Sequence, residues 1–123
     1  MSTITGDQLR GHLDMLVLAA LEAGEAHGLG IIERLESAGC GLLKLKEGSL
    51  YPALYRLEAL RLVQSSSKAV PSGQKGARRR IYCLTRKGRR SLSQGRRDWR
   101  DFVSVINGIL GASLCLKQPV ANS

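Results

Sequence analysis

Apolar side chains recur at helical spacing in four stretches of this chain and at strand-like spacing in two. In 7-DQLRGHLDMLVLAALEAG-24, Leu9, Leu13, Leu16, Val17, Ala20 and Leu21 share helical positions, Asp7 is placed to cap and Gly24 to stop. This predicts a first helix, apolar on more than one side. In 27-HGLGIIERLESAG-39, Ile31, Ile32 and Leu35 predict a short second helix ending at Gly39. The following CGLLKLKEG alternates leucine with lysine and reads as a bent linker or a brief extended piece. Leu50, Leu54, Leu57 and Leu60 then form one stripe, which predicts a third helix from about Ser49 to Arg61. Pro52 would fall in its first turn, where backbone N–H groups have no intrahelical acceptor to lose.

The runs 62-LVQSS-66 and 80-RIYCL-84 lean towards strand. Between them lies 67-SKAVPSGQKGARR-79, rich in Gly, Pro, Ser and basic residues, so a β-hairpin with a flexible basic loop is predicted, anchored by Ile81 and Leu84 pointing inward. Thr85 is a natural N-cap for a fourth helix running to about residue 112, and the polar tail with Pro119 is expected to be disordered. The fold class is mainly α with a small β-hairpin, in the element order of a winged helix-turn-helix plus a C-terminal dimerisation helix. The expected organisation is residues 7–84 for the winged part, 85–112 for the helix and 113–123 for the tail.

Composition narrows this picture. The chain has 123 residues, enough for one core, and aromatics at 4% leave that core to Leu, Ile, Val and Ala. Net charge is +9, distributed unevenly: residues 1–40 carry six acidic and two basic side chains, and residues 75–100 carry eleven basic ones against Asp98 alone. A clustered excess of this kind points to a polyanionic partner, which the winged helix-turn-helix element order makes double-stranded DNA. Cys40, Cys83 and Cys115 lack metal-ligand spacing, and no signal segment opens the chain, so a reduced, cytoplasmic protein is expected. The longest strongly apolar run, 15-MLVLAAL-21, is too short to span a membrane.

The candidate chemistry is recognition. With its leucines turned to the core, the third helix would present Ser49, Tyr51, Pro52, Tyr55 and Arg56 to a major groove. The alternative for the tyrosines is packing against neighbouring elements, and it weighs more heavily on Tyr55 than on Tyr51. Lys68, Lys75, Arg78, Arg79 and Arg80 around the hairpin loop suit phosphate contacts, which set affinity without choosing sequence. In the fourth helix Trp99, Phe102, Ile106 and Ile109 form a seam suited to a second copy, with help from Leu9 and Leu13, or to folding back on its own domain. Trp99 near a twofold axis is the candidate for contacting a flat small-molecule effector. Catalysis has no support: His12 and His27 stand apart, and no serine motif, phosphate loop or metal cluster occurs, so no enzyme and no cofactor are expected.

The segments 10-RGHLDMLVLAALE-22, 27-HG-28, 48-GSLYPALYRLEALRLV-63 and 79-RRIYCLTRKG-88 resemble the PadR-like transcriptional regulators in order and spacing over roughly residues 9 to 90. The resemblance implies a homodimeric winged helix-turn-helix repressor of the compact type. By position, Ser49, Leu50, Tyr51, Pro52 and Tyr55 fall in the family's recognition block, and Arg79 and Arg80 in its wing. Three positions depart from the pattern: Leu29 replaces a usual tyrosine, Arg61 replaces a common glycine, and TRKGRR is basic where acidic residues often follow. The expected function is sequence-specific transcriptional regulation, released by a small molecule. The alternatives are an architectural nucleic-acid binder or a protein-interaction adaptor.

Overall fold

The computed structural model describes residues 11–39, 43–69 and 78–111. Its elements are α1 (Leu13–Leu21), β1 (Ala26–His27), α2 (Gly28–Ala38), α3 (Glu47–Ala59), β2 (Val63–Ala69), β3 (Arg78–Leu84) and α4 (Arg86–Leu110). They divide into two compact units, Met1–Leu92 and Ser93–Ser123, so the first two turns of α4 belong with the winged part.

The core of the first unit gathers Val17, Leu18 and Leu21 of α1, Ile31 and Leu35 of α2, and Leu50, Ala53, Leu54 and Leu57 of α3, closed by Val63, Tyr82, Leu84 and Leu92. Each buried leucine contributes about 2–3 kcal/mol by leaving water, so three helices with few polar contacts between them hold together. The linker joins this core through Leu43 and Leu45, both buried, and the Leu45 N–H donates to a Glu36 carboxylate oxygen at 3.4 Å.

The first helix is shorter than its apolar pattern suggests. Gly11 has φ +94°, a left-handed conformation a helix interior does not admit, so α1 starts at Leu13 with His12 at its boundary. Asp7 and Leu9 lie outside the described residues. At the far end Gly24, at φ +140°, turns the chain. The Arg34 side chain secures this end, donating to the carbonyls of Ala20 (2.9 Å), Gly24 (2.7 Å) and Glu25 (3.1 Å).

Helix α3 begins two residues before the expected Ser49, because the Leu50 N–H already donates to the Lys46 carbonyl at 3.1 Å. Pro52 therefore stands in the second turn and not the first, leaving the Gly48 carbonyl without its usual donor. The helix ends in a Schellman motif. Leu62 N–H donates to Leu57 O and Arg61 N–H to Glu58 O, each at 2.9 Å, with Arg61 at φ +65°. Leu60, expected on the core stripe, lies at the cap and is 54% exposed, whereas Leu62 turns back into the core.

The hairpin is longer than expected and belongs to a three-stranded antiparallel sheet in the order β1-β3-β2. Register runs from Val63 opposite Leu84 to Ala69 opposite Arg78, and Ala26 and His27 pair with Tyr82 and Ile81 on the other edge of β3. The inward pair is Tyr82 and Leu84 rather than Ile81 and Leu84, since residues three apart on a strand face opposite sides; Ile81 is only half-buried.

Candidate nucleic-acid interface

Gly48, Pro52, Tyr55 and Ala59 recur at helical spacing on the outer face of α3 and all four are exposed. Three of them are small or lack a flexible side chain, so the Tyr55 ring, 77% exposed, is the one large group projecting from the centre of the face. Tyr51 sits at one flank. Its phenol ring end packs against the backbone of Gly28 at the start of α2: a Cβ added at Gly28 would overlap the Tyr51 hydroxyl and lie 2.6 Å from Cζ. The packing weighed more heavily for Tyr55 thus belongs to Tyr51.

The other flank holds Arg56, whose guanidinium meets Asp14 of α1, Nη2 to Oδ1 at 2.7 Å and Nε to Oδ2 at 3.4 Å. Hydrogen bonding and the opposite charge of Asp14 hold the Arg56 proton more firmly than usual, only slightly offset by burial. Ser49 is half-buried on this side.

On the sheet, Arg78 and Arg80 share the face of Tyr82. Arg78 donates to Ser67 Oγ (2.8 Å) and to the Ser67 carbonyl (2.7 Å). Arg80 donates to Ser65 Oγ at 2.9 Å, and that hydroxyl donates in turn to a Glu58 carboxylate oxygen of α3 at 2.6 Å. This relay fixes the end of α3 against β2 and β3. Burial pushes the neighbouring Tyr82 phenol above the usual tyrosine range, against the opposing charge of Arg80. Arg79 and Lys68 occupy the opposite face; Lys68 Nζ pairs with Glu25 at 2.6 Å, and Arg79 is exposed. Lys75 lies outside the described residues.

The sheet leads directly into α4 through a closely fitted junction. Thr85 caps the helix, its Oγ1 accepting from the Gly88 N–H at 2.9 Å, and its own N–H donates to the Leu62 carbonyl at 3.1 Å. The Thr85 hydroxyl also faces the Arg61 carbonyl at 2.8 Å, and Lys87 Nζ donates to Leu60 O at 3.0 Å. Gly88 is required here, because a Cβ would run into the Leu62 carbonyl.

In the second unit, Trp99 and Phe102 stack along one side of α4, ring centroids 5.6 Å apart and tilted by 31°. Both are exposed, as are Val105, Ile109 and Leu110, while Ile106 is half-buried. Leu13, expected to assist a dimer contact, is instead buried in the core of its own chain.

Sequence reasoning missed Gly28, Gly88, Asp14 and Glu58. The two glycines carried a signal in the HG and LTRKG motifs, since a glycine at the start of a helix is costly without a close neighbour. The two acids carried none, as their partners lie on other elements. Among the described residues no three His, Cys, Asp or Glu side chains could hold a metal ion, and no helix is long and apolar enough to cross a membrane.

Three helices, a three-stranded sheet with a basic hairpin, and an outward-facing third helix define a winged helix-turn-helix protein. The sequence pattern of the transcriptional regulator PadR-like family matches residues 17–94. The chain belongs to that family, whose members regulate transcription and are not enzymes. It is 33% identical over 84 residues to the transcriptional regulator Rv3488 of Mycobacterium tuberculosis, covering 68% of this chain and 72% of that protein. Among solved structures, it is similar to a transcriptional regulator from Clostridium thermocellum (29% identity, TM-score 0.73, covering 83% of this chain and 96% of that one). It is also similar to a PadR-like transcriptional regulator from Bacillus cereus (27% identity, TM-score 0.69, covering 85% and 96%).

Proposed function

We propose that this protein is a cytoplasmic, homodimeric repressor that reads duplex DNA by sequence through the outer face of α3. The observation that carries this reading is Tyr55, projecting at 77% exposure from a face otherwise made of Gly48, Pro52 and Ala59. A slim helix face with one long hydrogen-bonding probe fits a major groove, where a phenol O–H can address a base edge or phosphate and Pro52 and Ala59 can meet thymine methyl groups. Arg78, Arg79, Arg80 and Lys68 on the wing strands would hold the phosphate backbone beside it, with Lys75 in the connecting segment. Ser49 and Arg56 stand at the side of the same face, and Tyr51 on the other side braces α3 against Gly28 of α2.

Dimerisation is assigned to the apolar seam of α4, where Trp99, Phe102, Ile106 and Ile109 recur at helical spacing. A second copy burying that seam would present two α3 helices about one DNA turn apart and call for a pseudo-palindromic operator. Trp99 would meet a flat effector there, and its binding would release the DNA.

Selection from a random duplex pool, followed by titration of the winners, tests the reading. The expected result is a pseudo-palindromic consensus bound far more tightly than random duplex, with affinity reduced roughly tenfold by Tyr55→Phe, the scale of one lost hydrogen bond to a charged or base acceptor. Equal affinity for all sequences would instead favour an architectural binder, which the basic first half of α4 also suits. Sedimentation of wild type against Phe102→Glu tests the dimer, the variant being expected to run as a monomer.

A further inference from the structure

We infer that Asp14 and Glu25 are internal competitors for DNA phosphate, holding Arg56 and Lys68 in the free protein and weakening its binding to any duplex. The inference deepens the proposed function and rests on the part of it that turns the α3 face and the wing strands towards DNA. The uneven charge of the sequence is folded back on itself at these residues. Residues 1–40 carry six acidic side chains against two basic ones, and two of those acids reach cations 42 and 43 residues away in the chain. Asp14 of α1 takes Arg56 on the flank of α3, Oδ1 to Nη2 at 2.7 Å. Glu25, just before β1, takes Lys68 of β2, Oε2 to Nζ at 2.6 Å. Arg34, a basic side chain much nearer to Glu25 in sequence, turns instead to backbone carbonyls.

Both pairs lie at the surface. Their four side chains are between 39% and 54% exposed, so a phosphate can approach the same cation that the carboxylate holds. Ion pairs this exposed contribute little to stability, so the fold does not depend on them and DNA can displace them. A third cation of the same surface is restrained less directly: Arg80 donates to Ser65 Oγ, and that hydroxyl donates to Glu58. A carboxylate beside a phosphate backbone also repels it, so Asp14 and Glu25 act twice, by occupying a cation and by opposing the anion. Phosphate contacts carry no sequence information, and the base contact assigned to Tyr55 is untouched by this competition. For a chain of net charge +9, the result is a brake on sequence-independent binding.

The test is binding of the full chain to a mixed-sequence duplex about three turns long, followed by fluorescence anisotropy as salt is varied. Asp14→Asn and Glu25→Gln are each expected to tighten binding by about 2–5-fold, the scale of one exposed ion pair. Together they should tighten it about tenfold, because the two pairs share no partner, and steepen the slope of log affinity against log salt by up to ~0.9 for each cation freed. In an Arg56→Gln background the gain from Asp14→Asn should shrink below about twofold, since no cation is left to free. Both replacements keep the side-chain shape, and circular dichroism should show each variant melting close to wild type. Unchanged or weaker binding by the carboxylate variants overturns the competition, and salt-dependent binding by the wild type then leaves the proposed function standing. A gain from Asp14→Asn that is undiminished without Arg56 also overturns it, by assigning the effect to net charge. Absence of any duplex binding by the wild type overturns the competition and the proposed function together.

Discussion

Replacing Gly88 by alanine sets two opposing effects against each other in one side chain. Within a helix the exchange ordinarily stabilises by about 1 kcal/mol, because alanine loses less backbone freedom on folding. At Gly88 the new methyl would overlap the Leu62 carbonyl oxygen and stand 3.0 Å from its carbonyl carbon and 2.9 Å from Leu84 Cδ1. Relaxed carbon contacts need about 3.5–4.0 Å, so α4 must retreat from the Arg61–Leu62 turn by roughly 1 Å. That movement strains bonds that already span 3.1 Å from Thr85 N–H to Leu62 O, 2.8 Å from Thr85 Oγ1 to Arg61 O and 3.0 Å from Lys87 Nζ to Leu60 O. Overpacking costs about 1–3 kcal/mol, and weakening two of these bonds adds about 1–2 kcal/mol. After subtracting the helix gain, the net loss is about 1–4 kcal/mol, or a melting temperature lower by roughly 5–25 °C. Urea denaturation followed by circular dichroism, at fixed protein concentration, measures it. Gly108 of the same helix has nothing within 4 Å of an added Cβ, so Gly108→Ala should stabilise. A rise in stability for Gly88→Ala as well would show that α4 does not press on the Arg61–Leu62 turn at this position.

Three further outcomes follow from other contacts. Gly28→Ala should destabilise by about 1–3 kcal/mol through collision with the Tyr51 ring, and that penalty should largely vanish in a Tyr51→Ala background; equal penalties in both would show that the ring is not the obstacle. A double-mutant cycle across Asp14 and Arg56 should give a coupling under about 1 kcal/mol, weakening with salt, because the side chains are 39% and 54% exposed. Stability should fall as pH rises above the unfolded tyrosine value of about 10, since burial raises the folded Tyr82 value; below that pH both states hold the proton and no change is expected. Tyr82→Phe should show a shallower alkaline decline than wild type, and identical alkaline profiles would contradict the assignment.

Helix identity and the core face were legible because Leu50, Leu54, Leu57 and their counterparts in α1 and α2 repeat with the helical period. The boundaries were less so. Whether Gly11 breaks α1 depends on a backbone conformation that periodicity does not encode, and Leu60 leaves the core because the Schellman turn hands its place to Leu62. Strand β1 has two residues, too few to show alternation, and exists because β3 offers it an edge. Within the site, the basic character of the hairpin and the outward face of α3 could be read directly. The allocation of Tyr51 to Gly28 and of Arg56 to Asp14 could not, because each joins residues far apart in the chain.

The brevity of β1 has a consequence for how copies of this protein can misassemble. A sheet edge with free N–H and C=O groups invites strands from other molecules. Along one side of β3 that invitation is partly taken up by Ala26 and His27, a strand too short to template another. The opposite edge belongs to β2, whose sequence VQSSSKA is polar from Gln64 to Lys68 and lacks the apolar residues that a dry cross-β contact needs. Stray β-pairing is thereby disfavoured at both borders, and among the described residues the longest row of exposed apolar side chains, Trp99, Phe102, Val105, Ile109 and Leu110, is helical, along α4. Under crowded or partly unfolding conditions, aggregation should therefore be suppressed by changes to the α4 seam far more than by changes to the strands.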